Sequence, residues 1–373
     1  MDRLSDYDYE LPQDRIAAEP LDRRDASRLL VIERATGRLS HRGIADLPEL
    51  LSPGDCLVLN DTRVLPARLL GSRTATGGKW EGLYLGTTDA GAWRLIGQSR
   101  GRIQPGETVT VVPADHRLAS GERKPPETQP AHAGRSPGDD EHEELHLRLI
   151  ERDAEGVWTA ELDRPGSAVD LLEQFGTVPL PPYIHRERAT PLDWQRYQTT
   201  FARRPGSVAA PTAGLHFTPE LLAACRGRGI DLAWVTLHVG IGTFRPIAVH
   251  DLAEHHMHAE WCELPAETAE QLRRARSVGG RVVAVGTTTV RTLESVARNG
   301  PLRAWRGETD LFIRPPYEFR AIDALLTNFH LPKSSLLVMV SAVAGRELIR
   351  RAYAEAIRER YRFYSYGDAM LIV

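Results

Sequence analysis

Histidine is the side chain whose ordinary pKa suits proton transfer near neutral pH, and this chain places three of its 13 histidines in runs of small polar residues. The first run is Ala209-Ala210-Pro211-Thr212-Ala213-Gly214-Leu215-His216-Phe217. The second is Thr236-Leu237-His238-Val239-Gly240-Ile241-Gly242-Thr243-Phe244-Arg245-Pro246. The third is Leu326-Thr327-Asn328-Phe329-His330-Leu331-Pro332-Lys333-Ser334. Gly214, Gly240 and Gly242 allow backbone to come close to a ligand. Carboxylates lie in two further polar runs, Asp61 in Leu59-Asn60-Asp61-Thr62-Arg63 and Asp368 just after Tyr366. The Asn60–Arg63 run either holds a polar ligand or closes on itself as a turn. The histidine runs have the same two readings: proton-transfer loops, or turns with structural histidines.

The elements between these residues decide whether they can meet. Thr218-Pro219-Glu220 has the types expected for N-cap, first helical position and first-turn acid. Leu221, Leu222, Ala224 and Cys225 continue a helix, and Gly227 and Gly229 end it. Ile230–Leu237 then reads as a buried strand. Loop, helix, strand, loop places His216 and His238 where both can reach one sheet edge. Arg281–Val285 is a second buried strand, running into Gly286-Thr287-Thr288-Thr289 and a helix from Val290. A strand, a Gly/Thr turn and a helix N-terminus make an anion-ready turn at a carboxyl edge. Its pattern is neither a dinucleotide fingerprint nor a P-loop, so it names no ligand. Asp310–Ile313 reads as another strand, 265–276 and 345–359 as helices, and 361–370 as an aromatic strand that carries Tyr366 and Asp368 near its end.

From Asp55 the texture changes. Cys56–Leu59, Leu65–Leu70, Trp80–Leu85, Trp93–Ile96, Thr108–Val112, Leu145–Leu149 and Val157–Glu161 are short alternating runs, most of them set apart by glycine turns. That spacing predicts a small antiparallel β-barrel. Residues 113–143, rich in Pro, Gly, Glu, Asp and His, predict a mobile solvated loop. From Ala168 the pattern is α/β. The expected fold is an α/β main domain, a mixed sheet with flanking helices, formed by 1–58 with 160–373. The barrel, 59–159, is inserted into it.

Composition removes several classes. The 373 residues are 42% hydrophobic, enough for a proper core. A net charge of −3 excludes a highly basic nucleic-acid binder but not one local basic face. Cys56, Cys225 and Cys262 make neither a disulfide framework nor a zinc pattern, as expected in a reducing cytoplasm. The polar, acidic N-terminus is not a signal peptide, and the longest apolar run, 336–344, is too short to span a bilayer. His250, His255, His256 and His258 lack a Cys partner and a His-Glu-x-x-His frame. They read as histidines lining a polar cleft, and no metal is expected. Arg23, Arg24, Asp25, Ser27 and Arg28 either bind an anion or form a solvated charged turn.

Several segments together resemble the queuosine-pathway S-adenosylmethionine:tRNA ribosyltransferase-isomerases. They are Asp25–Arg28, Leu59–Arg63, Pro179–Ile184, Ala209–Thr218, Thr236–Pro246, Gly286–Thr288, Leu326–Ser334 and Tyr361–Met370, in the family's order along nearly the whole chain. The resemblance implies a cytoplasmic, monomeric enzyme with no resident cofactor, which consumes S-adenosylmethionine as ribosyl donor. The implied acceptor is 7-aminomethyl-7-deazaguanine at the wobble position of tRNA; the products are epoxyqueuosine-tRNA, adenine and methionine. Such chemistry needs a base for the C–H beside a sulfonium, an acid for departing adenine, and a neutral acceptor amine. His216, His238 and His330, backed by Asp61 and Asp368, are the candidate proton carriers. Asn60, Arg63, Thr212, Gly214, Gly240, Gly242, Thr243, Gly286, Thr287, Thr288, Asn328 and Tyr366 are the candidate binding residues. Arg68, Arg245 and Arg291 are further candidates for anion contacts. The competing readings are a methyltransferase acting on RNA, a metallohydrolase built on His250–His258, and a noncatalytic RNA-binding module.

Overall fold

Short buried runs and amphipathic helices alternate along much of this chain, and the helices of its larger part bury their apolar sides against one long sheet. The computed structural model describes residues 2–113, 144–184, 186, 188–240, 242 and 247–373. The strands are β1 (Arg28–Glu33), β2 (Arg38–Gly43), β3 (Cys56–Asn60), β4 (Thr62–Val64), β5 (Arg68–Arg73), β6 (Lys79–Thr87), β7 (Trp93–Ser99), β8 (Thr108–Val111), β9 (Leu145–Arg152), β10 (Trp158–Leu162), β11 (Gly176–Thr177), β12 (Arg204–Ser207), β13 (Asp231–Leu237), β14 (Glu260–Leu264), β15 (Val282–Val285), β16 (Trp305–Thr309), β17 (Ala324–Asn328) and β18 (Ala369–Ile372). The helices are α1 (Leu47–Leu50), α2 (Ala168–Phe175), α3 (Pro191–Arg196), α4 (Pro219–Gly227), α5 (Ala266–Ser277), α6 (Thr287–Ala297), α7 (Ser335–Ala344) and α8 (Arg346–Arg358).

Two compact units result. One comprises 1–63, 181–185 and 196–373; the other comprises 64–180 and 186–195. The boundaries expected at 59 and 159 therefore lie at 64 and 180. Asn60 ends a strand of the main sheet, and Gly176–Thr177 adds a short strand to barrel strand β5, so 160–180 belongs with the barrel.

The first unit is a nine-stranded sheet ordered β16-β14-β13-β3-β15-β17-β18-β1-β2. Its centre is parallel: β13 with β3, β3 with β15, β15 with β17. Strand β18 returns antiparallel to β17 and parallel to β1. Cys56–Asn60 is buried at every position and runs through the middle of this sheet, not the barrel. Such an unbroken apolar run is what a parallel strand covered on both faces requires. Successive side chains alternate faces. Cys56 and Val58 pack on the face covered by α5 to α8, while Leu57 and Leu59 pack on the face with α4. Helix α4 begins as its residue types require, with the Thr218 hydroxyl accepting from the Leu221 amide at 3.1 Å and Pro219 in the first turn. One expected strand is displaced. Trp305–Thr309 forms the antiparallel edge beside β14, while Asp310–Ile313 is irregular, its apolar Leu311 and Ile313 buried without a ladder.

In the second unit β5-β6-β7-β10-β9-β8 closes through β5–β8 pairing into a six-stranded antiparallel barrel. Closure brings Gly71 so near β8 that a Cβ there would meet the Thr110 carbonyl at 2.2 Å. Trp80, Trp93 and Trp158 are buried, with Trp80 lying over Gly82 and Gly97. Of the loop expected at 113–143, residues 114–143 lie outside the described residues.

Candidate active site

Because β13, β3, β15 and β17 are parallel, their carboxyl ends share one edge of the sheet. His238 follows β13, Asn60 ends β3, Gly286 follows β15 and Asn328 ends β17. Asn328 is in register with Ala369, so Asp368 and Tyr366 come to the same edge. Ligands of open α/β sheets bind outside this edge.

Asn60 organises one half of the edge. Its amide donates to the Leu237 carbonyl at 3.0 Å and to the Thr288 hydroxyl at 3.1 Å. Its oxygen accepts from the backbone amides of Thr62 and Leu237, both at 3.1 Å. Every polar atom of this buried side chain thus serves to align β3, β13 and α6, so Asn60 shapes the site from inside. Gly286 caps α6 at φ 86°, a left-handed conformation that favours glycine, and leads into Thr287 and Thr288 at the helix N-terminus.

His238 is half-buried beside this frame. Its Nδ1 lies 2.8 Å from the Thr62 hydroxyl, and its ring stacks on Trp261 with centroids 4.9 Å apart at 18°. On the Gly206 side, a Cβ would sit 2.7 Å from the ring, so only glycine leaves room there. Among the described residues Nε2 has no hydrogen-bond partner. Burial, with Arg204 as a smaller cause, holds His238 below its ordinary pKa, which favours the neutral ring. Asp61 is buried nearby and accepts from the Thr236 hydroxyl at 2.7 Å. Burial raises its pKa, against the opposing effects of Thr236, Arg204 and Arg203.

His216 lies on the α4 face, only 3% exposed. The Asn328 amide donates to its Nε2 at 3.2 Å and to the Tyr364 carbonyl at 3.1 Å, while the Asn328 oxygen is buried without a partner. Burial pushes His216 down to about 4. His330 belongs elsewhere. Thr327 and Asn328 are consecutive on β17 and so face opposite sides, and His330 follows Thr327: its Nε2 is 3.0 Å from that hydroxyl. Its backbone amide donates to Tyr353 of α8 at 2.9 Å, and its carbonyl accepts from Tyr9 at 2.5 Å. At 8% exposure it is pushed down to about 3 by burial. The first two histidine runs meet, with Ala209 packed against Leu237 and Val239, while His330 is packed on the far face from His216.

Asp368 accepts from the backbone amides of Arg28 at 2.9 Å and Arg362 at 2.8 Å, tying β1 to the segment before β18. Burial raises its pKa against those two bonds. Gly240 donates its amide to Glu260 at 2.8 Å. The same carboxylate pairs with Arg291, whose other donors go to the Leu311 and Thr309 carbonyls. Arg291 is 3% exposed and is thereby a brace, not an anion contact. Arg68 lies in the barrel unit, where it pairs with Glu81. Gly242 abuts His258: a Cβ there would come within 2.7 Å of that ring. Gly214 packs on Thr199 and Phe201, Thr212 and Arg63 are half-buried, and Thr243 and Arg245 lie outside the described residues. His255 rests edge-on against Phe312, and among the described residues no three His, Cys, Asp or Glu side chains converge as metal ligands. No helix among them is long and apolar enough to cross a membrane.

Thr62, Trp261, Gly206 and Glu260 went unremarked as site residues in the sequence. Thr62 stood inside a motif already singled out. Gly206, in the short strand β12, carried the usual signal of a close approach. Trp261 and Glu260 carried none, because β14 meets β13 only in the folded sheet.

Residues 4–372 match the family model described as queuosine biosynthesis protein. The S-adenosylmethionine:tRNA ribosyltransferase-isomerase of Azoarcus sp. is 51% identical over 371 residues, covering 99% of this chain and 97% of that one. The enzyme of the same name from Symbiobacterium thermophilum is 49% identical over 372 residues, covering all of both. The crystal structure of the Thermotoga maritima S-adenosylmethionine tRNA ribosyltransferase is 34% identical, covers 99% of this chain and 100% of its own, and superposes with a TM-score of 0.53. With an α/β sheet and a closed barrel in hand, and relatives so named along its full length, the chain belongs to the queuosine biosynthesis protein family, as an enzyme of the S-adenosylmethionine:tRNA ribosyltransferase-isomerase kind.

Proposed function

We propose that this enzyme transfers the ribosyl moiety of S-adenosylmethionine to the aminomethyl nitrogen of 7-aminomethyl-7-deazaguanine in the tRNA wobble position. The moiety is isomerised on the way, giving epoxyqueuosine-tRNA with release of adenine and methionine. The donor is consumed, so the reading needs no resident cofactor.

The observation that carries it is His238. Its ring is clamped between Trp261 and Gly206 and oriented by Thr62, while Nε2 is left for a ligand. A histidine held neutral by burial is competent to take a proton at pH 7. The C–H beside a sulfonium is the proton that opens this chemistry, and His238 is assigned to it. Gly286, Thr287 and Thr288, at the N-terminus of α6 next to the same frame, are assigned to the donor's polar end. Asp61, protonated more readily than an ordinary carboxylate and adjacent to Asn60 and Thr62, is assigned as the acid for departing adenine. His216 and Asn328 stand further along the edge, where the acceptor base is to be received.

The test is a product analysis by mass spectrometry with S-adenosylmethionine and tRNA carrying the aminomethyl base. Free adenine and methionine in equal amounts, formed only with that tRNA, are expected. S-adenosylhomocysteine without adenine would replace this reading with a methyltransferase.

A further inference from the structure

One pocket of the α/β unit gathers arginines beside His216. It is open to solvent, with a cavity volume of about 20 Å³, and is lined by Arg23, Arg24, Ser27, Arg196, His216 and Tyr366 among others. Its guanidinium groups are only partly satisfied, by carbonyls. Arg24 donates to the Leu215 carbonyl at 3.1 Å, and Arg196 to the Asp22 carbonyl at 2.9 Å. The Nε of Arg196 is buried with no partner, and so is Nη1 of Arg362, whose charge also acts on His216. Burial, then repulsion from Arg196, holds the Arg24 guanidinium at about 10. Arg23 pairs with Asp25 at 3.0 Å, with its own side chain 76% exposed on the rim. Among the described residues no carboxylate side chain lines the pocket.

Clustered guanidinium groups repel one another and bear a desolvation cost, which a bound anion offsets. Two anions are at hand in the proposed reaction: a phosphodiester of the tRNA and the amino-acid carboxylate of the donor. The carboxylate arrives with an ammonium group four bonds or fewer away, which needs an acceptor of opposite charge. The lining offers none. His216 is neutral there and contributes hydrogen bonding without charge.

We infer that this pocket is a phosphate-binding site for the tRNA substrate, in which Arg24 and Arg196 grip one phosphodiester and Arg23 adds charge from the rim. The inference rests on the tRNA reading above. It gives the segment Arg23–Arg28 a purpose: the charged turn aims arginines at the same edge that presents His216.

The experiment measures binding of a fluorescently labelled anticodon stem–loop RNA by anisotropy between 50 and 200 mM salt, about the range over which phosphate contacts are most visible. Donor binding is measured in parallel by equilibrium dialysis. The variants are Arg196→Gln, Arg196→Lys and Arg23→Gln. Arg196→Gln is expected to weaken RNA binding about tenfold and to reduce the salt slope by about one. Arg196→Lys keeps most of both, Arg23→Gln loses a few-fold, and donor affinity does not change. Arg23 is exposed, so its variant remains readable even if Arg196→Gln disturbs folding. Unchanged RNA affinity and slope in Arg196→Gln and Arg23→Gln would overturn the site. Weaker donor binding with unchanged RNA binding would overturn it in favour of the carboxylate. A wild-type protein that does not bind the RNA at all would instead remove the tRNA reading on which it rests.

Discussion

His238 and His330 occupy similar places in the sequence, each closely following a polar strand end, and the fold treats them oppositely. His238 stays half-buried at the sheet edge, with one nitrogen engaged by Thr62 and the other unpartnered among the described residues. His330 turns back over the helical face, where Thr327 takes its Nε2 and Tyr353 and Tyr9 hold its backbone. Both are kept neutral by burial, yet only one can exchange a proton with a ligand. A depressed histidine pKa is thus no mark of catalysis until geometry shows a nitrogen within reach of a substrate.

The sharpest break in this comparison is His238→Ala. Turnover should fall about 10²–10⁴-fold, as for removal of a general base, with little change in thermal midpoint. Single-turnover rates beside melting curves read both. A folded variant with near-normal rates would shift proton abstraction to His216 or Asp61.

His330→Ala should behave in the opposite way. It leaves the buried Thr327 hydroxyl unpaired and should lower stability by about 1–3 kcal/mol, while the folded fraction turns over normally. Its pH dependence sharpens the point. Above the ordinary histidine pKa of about 6.5 the ring is neutral in both states. Below it the unfolded chain binds a proton that the folded chain, with His330 at about 3, refuses. Stability from this residue is therefore present above pH 6.5 and lost as pH falls toward about 3. The advantage of wild type over His330→Ala should shrink on acidification by up to about 1.4 kcal/mol per pH unit in that window. Chemical denaturation at a series of pH values measures it; a gap that stays constant would show His330 titrating normally.

The smallest effect is expected from Thr62→Val. It preserves shape but removes the hydroxyl that orients His238, which is worth about 1 kcal/mol and so roughly a fivefold loss of rate. The pH–rate profile should shift with it, a change that simple loss of packing does not produce. Equal rates and profiles in variant and wild type would leave Trp261 and Gly206 as sufficient to place the ring.

The residues alone determined much of this molecule. Unbroken apolar runs at Ile230–Leu237 and Arg281–Val285, the cap at Thr218-Pro219 and the glycine turns of the barrel each state a local preference strong enough to survive folding. They also located the carboxyl edge with His238 and Gly286 on it, because a βα turn places its loop there. What tertiary structure alone decided is which polar groups remain available. Asn60, Asp368 and Arg291 have the composition of ligand contacts, yet all three are committed to backbone or to a buried partner, in the last case Glu260. Trp261 reaches His238 only through the pairing of β14 with β13. One residue of alternation on β17, between Thr327 and Asn328, separates His330 from His216 by the thickness of the sheet. Local sequence fixes backbone preference over a few residues. Hydrogen-bond commitment and the choice of face depend on partners far away in the chain, and those are settled only when the strands pair.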